Sequence, residues 1–152
     1  MKILMVCLGN ICRSPVAEGI MKEKAKKYRL NIAVDSAGTS GWHDGAAPDT
    51  RSMKNAKQHG INISDQKSRR VMLSDFDLFD VIYAMDTQNY KNLLSLAPSA
   101  MQYKVKMILN ESHPNQNMDV PDPYYTEDGF DEVYQLLNDA CDNIALNIKK
   151  NE

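Results

Sequence analysis

The first fifteen residues constrain the fold more than any other segment of the chain. The apolar run at residues 3–7 predicts a buried strand, and Ser14-Pro15 predicts the start of a helix, because proline suits the first helical turn. Only five residues separate Cys7 from Arg13. A strand that leads through so short a loop into a helix indicates an α/β fold, with the loop at the carboxyl end of the sheet.

Strand and helix patterns alternate along the rest of the chain. In chain order we predict a strand at residues 32–36, a helix at 50–59 ended by Gly60, a strand at 81–85, a helix at 87–96 before Pro98, and a strand at 103–109. A final helix carries one apolar face, formed by Phe130, Val133, Leu137, Ala140, Ile144 and Ile148. This alternation predicts a single doubly wound α/β domain over residues 1–152, with a parallel sheet of about four strands and helices on both faces.

Composition excludes several other classes of protein. The 18 lysine and arginine residues nearly balance the 20 aspartate and glutamate residues, so no basic surface for nucleic acid is expected. The apolar run at residues 3–8 is too short to span a bilayer and is not followed by a cleavage site. Three cysteines are too few for a disulfide scaffold. We therefore expect a cytoplasmic monomer that binds neither nucleic acid nor membranes.

The loop after the first strand has the composition of an anion site. Its backbone N–H groups can converge in front of a helix N-terminus, and Arg13 adds a planar, bidentate donor. Gly9 and Asn10 tolerate the left-handed backbone that such a loop needs. The Gly-Lys-Ser/Thr ending of a nucleotide-binding loop is absent. We expect a tetrahedral dianion such as phosphate to be bound by Leu8, Gly9, Asn10, Ile11, Cys12, Arg13 and Ser14.

Cys7 is the candidate nucleophile in this loop. The helix end, the N–H groups and Arg13 all favour a thiolate over a thiol, and Ser14 is close enough in sequence to donate its hydroxyl to the sulfur. A lone cysteine at the end of a strand is more often a buried packing residue. The neighbouring anion-binding residues favour the catalytic interpretation here.

These residues resemble the low-molecular-weight protein tyrosine phosphatases. The resemblance rests on Cys-x5-Arg-Ser-Pro near the N-terminus, Asp-Ser-Ala-Gly-Thr at residues 35–39, Met-Asp at 85–86 and Asp-Pro-Tyr-Tyr at 122–125. It implies a two-step hydrolysis of phosphotyrosine in proteins, with Cys7 as nucleophile, Arg13 on the phosphate and Asp122 as general acid and then base. It implies inorganic phosphate as the product and neither a cofactor nor a metal.

Further roles follow from the same resemblance. Ser36 supports the loop by hydrogen bonding to Asn10, and Cys12 protects oxidised Cys7 by forming a disulfide with it. Some family members brace the loop with a histidine where this chain has Asp65. We expect Cys141 to pack in the core and three histidines to be solvated or on helix surfaces, namely His43, His59 and His113.

Two assignments leave a second interpretation open. Asp119 competes with Asp122 as the acid, although the prolines on both sides of Asp122 and the resemblance favour Asp122. Trp42, Tyr124 and Tyr125 can form an aromatic slot for a phosphotyrosine ring, and the second interpretation is that Tyr125 packs in the core.

Three other functions compete with tyrosine phosphatase activity. A thiol arsenate reductase needs further cysteines, and none occurs between Cys12 and Cys141. Members of the protein arginine phosphatase branch have threonine at the position of Ile11 and lack paired tyrosines after Asp-Pro. A phosphate-binding module without turnover would not need Cys7, Arg13 and an acid together.

Overall fold

A computed structural model describes residues 1–125 and 129–152, without the side chain of Tyr125. Four strands form one sheet, in which all the neighbouring pairs are parallel. In chain order they are β1 (Lys2–Cys7), β2 (Ala33–Gly38), β3 (Val81–Ala84) and β4 (Val105–Met107), and their order across the sheet is β2-β1-β3-β4. The predicted parallel sheet of about four strands is confirmed.

Five α-helices accompany the sheet in the described residues: α1 (Arg13–Lys27), α2 (Thr50–Gln58), α3 (Asp75–Leu78), α4 (Thr87–Leu96) and α5 (Gly129–Lys150). Short 3₁₀ helices occur at Ser99–Lys104, Ile108–Glu111 and Pro123–Tyr125. Gly60 follows the end of α2 with a φ of 82°, the left-handed conformation that suits a helix stop. Helix α2 therefore ends where the sequence predicts.

The side chains of β1 alternate between two hydrophobic cores. Ile3 and Met5 point to the core covered by α1 and α5, and Leu4 and Val6 point to the core that contains Leu93 of α4 and Phe76 of α3. Both faces of the sheet are thus covered by helices, as predicted. Burial on both faces explains why β1 is a continuous apolar run rather than an alternating one.

The prediction was wrong at two places in the second half of the chain. The strand predicted at 103–109 is limited to Val105–Met107, because the chain forms a 3₁₀ helix on either side of it. Helix α3 was not predicted, since it is one turn long and its sequence is half acidic. It forms because Asp75 is buried and accepts hydrogen bonds from Met72 N and Arg69.

The strand order places a crevice beside the end of β1. The chain leaves β1 into α1 on one face of the sheet and leaves β3 into α4 on the other face. Ligands of open α/β sheets bind where the connections diverge in this way, outside the carboxyl ends of the strands. The loop that follows Cys7 lies at this crevice.

Within residues 1–125 and 129–152, no helix is long and apolar enough to cross a membrane.

Candidate active site

The loop between β1 and α1 forms the floor of a cleft of about 200 Å³. Asn10 has a φ of 55°, the left-handed conformation expected in a tight anion loop. The structure describes no acceptor for the backbone N–H groups of Leu8, Gly9, Ile11 and Cys12 among residues 1–125 and 129–152. The cleft is lined by Cys7, Leu8, Gly9, Ile11, Cys12, Arg13, Trp42, His43, Asp122 and Tyr124.

Two hydrogen bonds reach the sulfur of Cys7. The backbone N–H of Asn10 donates to Sγ at 3.3 Å, and the Ser14 hydroxyl lies 3.0 Å from it. The Asn10 amide donates to Ser14 Oγ at 2.7 Å, so the Ser14 hydrogen is left to donate to the sulfur. Both contacts stabilise a thiolate at this position.

A buried hydrogen-bond network fixes the Asn10 side chain. Its carbonyl oxygen accepts from the backbone N–H of Arg69 at 3.1 Å, which defines the amide orientation. Its Nδ2 also donates to Ser36 Oγ at 3.0 Å, and Ser36 donates to Glu18 Oε1 at 2.7 Å. The structure thus brings Asn10, Ser14 and Ser36 together. Asp65 is exposed, and the carboxylate of Glu18 ends the network instead.

Gly38, at the end of β2, lets the loop between β1 and α1 pack closely against the sheet. A Cβ at this position would lie 2.8 Å from the Leu8 carbonyl oxygen and 3.2 Å from Asn10 Cβ. Real Cβ atoms do not approach backbone atoms so closely. The absence of a side chain at Gly38 is therefore a condition for the observed loop position.

Arg13 is buried and is held by groups from two segments, the end of β3 and the loop at residues 120–122. Its Nη1 donates to Asp86 Oδ2 at 2.7 Å and to the Val120 carbonyl at 3.0 Å, and its Nη2 lies 3.6 Å from Asp122 Oδ2. Burial works against the charged form of Arg13, but the negative charges of Cys7 and then Asp86 outweigh burial and raise its pKa. The guanidinium is therefore charged and oriented before any anion binds.

Asp86, in the Met-Asp motif at residues 85–86, binds two groups with its two carboxylate oxygens. Its Oδ1 accepts from Asn89 N at 2.7 Å and caps α4, while its Oδ2 holds Arg13. Nothing in the sequence indicates the contact with Arg13, because 73 residues separate the two.

The two candidate acids have different environments. Asp119 accepts from the backbone N–H and the hydroxyl of Thr87, both at 2.8 Å, and does not line the cleft. Asp122 lines the cleft, has a side chain that is 33% exposed, and accepts from Tyr124 N at 3.0 Å. Asp122 is thus beside Arg13, while Asp119 anchors the start of α4.

Aromatic side chains contribute to the walls of the cleft. Trp42 is 79% exposed and Tyr124 is 39% exposed, and both residues line the cleft. His43 also lines it, with its ring centroid 6.4 Å from that of Tyr124, whereas we expected a solvated histidine. Its neighbour Trp42 was the one signal for this position. The side chain of Tyr125 lies outside the described residues.

Cys12 lines the same cleft as Cys7. Burial, with Asp49 as the second cause, raises the pKa of Cys12 to about 12. Cys12 packs with Ile11 and Phe130, and the structure describes all three cysteines of the chain as free. Cys141 is fully buried in the core, as predicted.

The start of α2 adds two residues that sequence reasoning missed. The backbone N–H of Asp49 donates to the Ile11 carbonyl at 2.8 Å, and the Asp49 carboxylate binds the Arg51 guanidinium. Arg51 Nη2 donates in turn to the Tyr124 carbonyl at 3.0 Å. Throughout the described residues, no cluster of three or more His, Cys, Asp or Glu side chains is arranged to hold a metal ion.

Known proteins with similar sequences and structures were compared with the chain. Residues 2–152 match the family model described as "Low molecular weight phosphotyrosine protein phosphatase". The low molecular weight protein-tyrosine-phosphatase YfkJ of Bacillus subtilis is 41% identical, over 97% of this chain and 96% of that protein.

Two crystal structures show the same similarity in three dimensions. A protein tyrosine phosphatase from Entamoeba histolytica superposes with a TM-score of 0.94, at 41% identity, over 99% of this chain and 98% of that chain. A Drosophila protein described as an arginine phosphatase superposes with a TM-score of 0.92, at 32% identity, over the full length of both chains. The fold is therefore shared by proteins that are named for different phosphorylated residues.

Proposed function

Because the chain belongs to the low molecular weight phosphotyrosine protein phosphatase family, we propose that it hydrolyses phosphotyrosine in proteins through a phosphocysteine intermediate. The observation that carries the proposal is the cleft in which Cys7, Arg13 and Asp122 meet. These side chains supply the three groups that phosphoryl transfer to a thiol needs: a nucleophile, a cation for the equatorial oxygens, and a proton donor.

In the first step Cys7 Sγ attacks phosphorus, the S–P bond forms, and the bond from phosphorus to the tyrosyl oxygen breaks. The N–H groups of Leu8, Gly9, Ile11 and Cys12 and the Arg13 guanidinium hold the phosphoryl oxygens, which stabilises the charge in the transition state. The hydrogen bonds from Asn10 N and Ser14 keep the sulfur aimed from the end of β1.

We assign the proton transfers to Asp122. It donates a proton to the departing tyrosyl oxygen, and in the second step it accepts a proton from the water that attacks the phosphocysteine. Inorganic phosphate then leaves and Cys7 returns to the thiolate. The contacts of Asp119 with Thr87 leave Asp122 as the better candidate, since only Asp122 lines the cleft.

Phosphotyrosine is the substrate that the cleft walls favour. An aryl ring can lie between Trp42 and Tyr124 while its phosphate reaches the loop, whereas phosphoserine is too short to reach the floor. Tyr125 is proposed as a further wall residue on sequence grounds alone. Ile11, rather than threonine, on the cleft lining favours tyrosine over arginine phosphatase activity. Arsenate reduction and phosphate binding without turnover are the two remaining competing functions.

We also propose that Cys12 protects Cys7 from irreversible oxidation. Peroxide converts the Cys7 thiolate to a sulfenic acid, the Cys12 sulfur attacks the Cys7 sulfur, and water leaves as the disulfide forms. Both side chains line one cleft, which supports this proposal.

We further propose a monomer that acts in the cytoplasm without nucleic-acid or membrane partners. Light scattering during gel filtration tests the monomer.

The function is tested by measuring phosphate release from phosphotyrosine, phosphoserine and phosphoarginine peptides of one sequence, with EDTA present. We expect rapid release from phosphotyrosine alone and none in Cys7→Ser, which should still bind vanadate. A preference for phosphoarginine would overturn the substrate assignment, and turnover by Cys7→Ser would overturn the nucleophile. Far-UV circular dichroism of the variant confirms that it is folded.

A further inference from the structure

The start of α2 holds an arginine in a fixed orientation. The Asp49 carboxylate caps the helix by accepting from Arg51 N at 2.8 Å. It also accepts from Arg51 Nε at 3.1 Å and Nη2 at 2.9 Å, a two-point contact with the planar guanidinium. One carboxylate therefore orients both the helix end and the side chain of Arg51.

The same guanidinium contacts the segment that carries Asp122. Arg51 Nη2 donates to the Tyr124 carbonyl at 3.0 Å, and Arg51 Cζ lies 5.6 Å from the centroid of the Tyr124 ring. Arg51 Cζ also lies 4.8 Å from the ring centroid of Phe130, in the first turn of α5. Arg51 thus joins α2 to residues both before and after the undescribed residues 126–128.

Two further hydrogen bonds, each donated by a backbone N–H, connect Arg51 and Asp49 to Asp122 and to the phosphate-binding loop. Tyr124 N donates to Asp122 Oδ1 at 3.0 Å, and Asp49 N donates to the Ile11 carbonyl at 2.8 Å. A continuous set of hydrogen bonds therefore runs from the phosphate-binding loop through Asp49 and Arg51 to Tyr124 and the proposed acid.

We propose that Arg51 is a positioning residue that holds Asp122 over the phosphate-binding loop. The proposal rests on the function proposed above, in which Asp122 protonates the leaving group. A lysine could not replace Arg51, because its single nitrogen cannot bind the Asp49 carboxylate at two points and the Tyr124 carbonyl with a planar fork. Arg51 acts on the proton transfer and not on phosphate binding, since Arg13 and the loop amides hold the phosphate.

The substitution Arg51→Ala tests the proposal, with Lys54→Ala as the matched control. Lys54 lies one turn further along α2 and, together with Arg51 and Phe130, lines a shallow surface cleft that is distinct from the active-site cleft. Lys54 has no hydrogen-bond or ion-pair partner among the described residues. We expect kcat/KM on phenyl phosphate to fall about 10-fold in Arg51→Ala, the effect of one charge-assisted hydrogen bond. On 4-nitrophenyl phosphate, whose phenolate leaves without a proton, we expect little loss, and Lys54→Ala should match wild type on both esters.

A double-mutant cycle separates positioning from substrate contact. If Arg51 acts through Asp122, adding Arg51→Ala to Asp122→Asn costs nothing further on phenyl phosphate. An equal loss on both backgrounds, or equal losses on the two esters, would overturn the proposal. If Asp122→Asn itself shows no dependence on the leaving group, the function assigned to Asp122 fails. If the loss in Asp122→Asn depends on the leaving group and the loss in Arg51→Ala does not, only the positioning role of Arg51 fails.

Folding of the variants is checked by urea unfolding. Arg51→Met keeps an unbranched side chain to pack against Tyr124 and Phe130 but has no donors. Should Arg51→Ala unfold, the Met variant gives the same kinetic comparison. Full activity of a folded Met variant on phenyl phosphate would exclude a role for the guanidinium.

Discussion

The hydroxyl of Ser14 provides a sharp test of how the nucleophile is held. Ser14 is fully buried, accepts from the Asn10 amide at 2.7 Å, and lies 3.0 Å from Cys7 Sγ. The substitution Ser14→Ala removes the hydrogen bond that stabilises the thiolate when it leaves phosphorus in the second step. We therefore expect a lower kcat, with the phosphocysteine accumulating before the slow step.

The size of the effect follows from the charge on the sulfur. A hydrogen bond to a charged group contributes about 1.5–3 kcal/mol, which corresponds to a fall of about 10- to 150-fold in the rate of the second step. The Asn10 amide keeps its bond to Ser36 but loses one acceptor, and an unsatisfied buried donor lowers the free energy of unfolding by about 1–3 kcal/mol.

Stopped-flow hydrolysis of 4-nitrophenyl phosphate measures both phases. We expect a clear burst of nitrophenolate followed by a slow steady state in Ser14→Ala. The control is Ser68→Ala, because the Ser68 hydroxyl is also buried at this loop but donates to the Gly9 carbonyl at 3.0 Å and not to the sulfur. A kcat of Ser14→Ala close to that of wild type, or an equal fall in Ser68→Ala, would refute the role assigned to Ser14.

Three further predictions concern other parts of the structure. Gly38→Ala forces a Cβ against Leu8 O and should lower kcat/KM by about 10-fold or more. The control is Gly60→Ala, at a φ of 82° with open space around it, which should lower the free energy of unfolding by only about 1 kcal/mol. Equal values of kcat/KM for the two variants would contradict this prediction. Because the pKa of Cys12 is raised to about 12, the rate at which Cys12 reacts with peroxide-treated Cys7 should increase between pH 7 and pH 9. After peroxide treatment, Cys12→Ser should not recover activity with a thiol reductant. A rate of disulfide formation that does not depend on pH would argue against Cys12. The hydrogen bond from Arg51 lowers the pKa of Asp49, so the stability that the Asp49 carboxylate contributes is complete above about pH 4 and is lost as the pH falls through the lower pKa of the folded state. The free energies of urea unfolding of wild type and Asp49→Asn should therefore converge in acid. A difference between these free energies that grows in acid would contradict the prediction.

The phosphate-binding loop could be predicted from sequence because its determinants are local. The apolar run, the left-handed residue and the helix start follow one another within residues 3–15, so spacing alone fixes their geometry. Asn10 has the left-handed backbone that its residue type suggests, and α1 begins at Arg13, one residue before the predicted start. The two central strands β1 and β3 were predictable for a similar reason, since burial on both faces leaves continuous apolar runs.

The partners that orient the loop could not be predicted in the same way. Glu18 is followed four residues later by Lys22, a pattern typical of a solvated helix pair, yet Glu18 is buried and accepts from Ser36. Arg69 lies in a basic run with Lys67 and Arg70, a pattern typical of a solvated surface, but it binds Asp35 and the buried Asp75. These contacts join segments that are far apart in sequence, so hydropathy and spacing carry no signal for them.

The structure divides the active site into two halves that differ in burial. Cys7, Arg13 and Ser14 on the floor are almost completely buried, while Trp42 and Tyr124 on the wall are largely or partly exposed. The phosphoryl group is the same in every substrate, so a buried, fully hydrogen-bonded floor suits it and cannot distinguish one leaving group from another. The Drosophila arginine phosphatase has nearly the same fold, which agrees with this division. We therefore expect discrimination between phosphorylated residues to reside in the walls, at Trp42, His43 and Tyr124, and at Ile11, the buried loop residue that lines the same cleft. Substitutions at these positions should change substrate preference before they change the chemistry of Cys7.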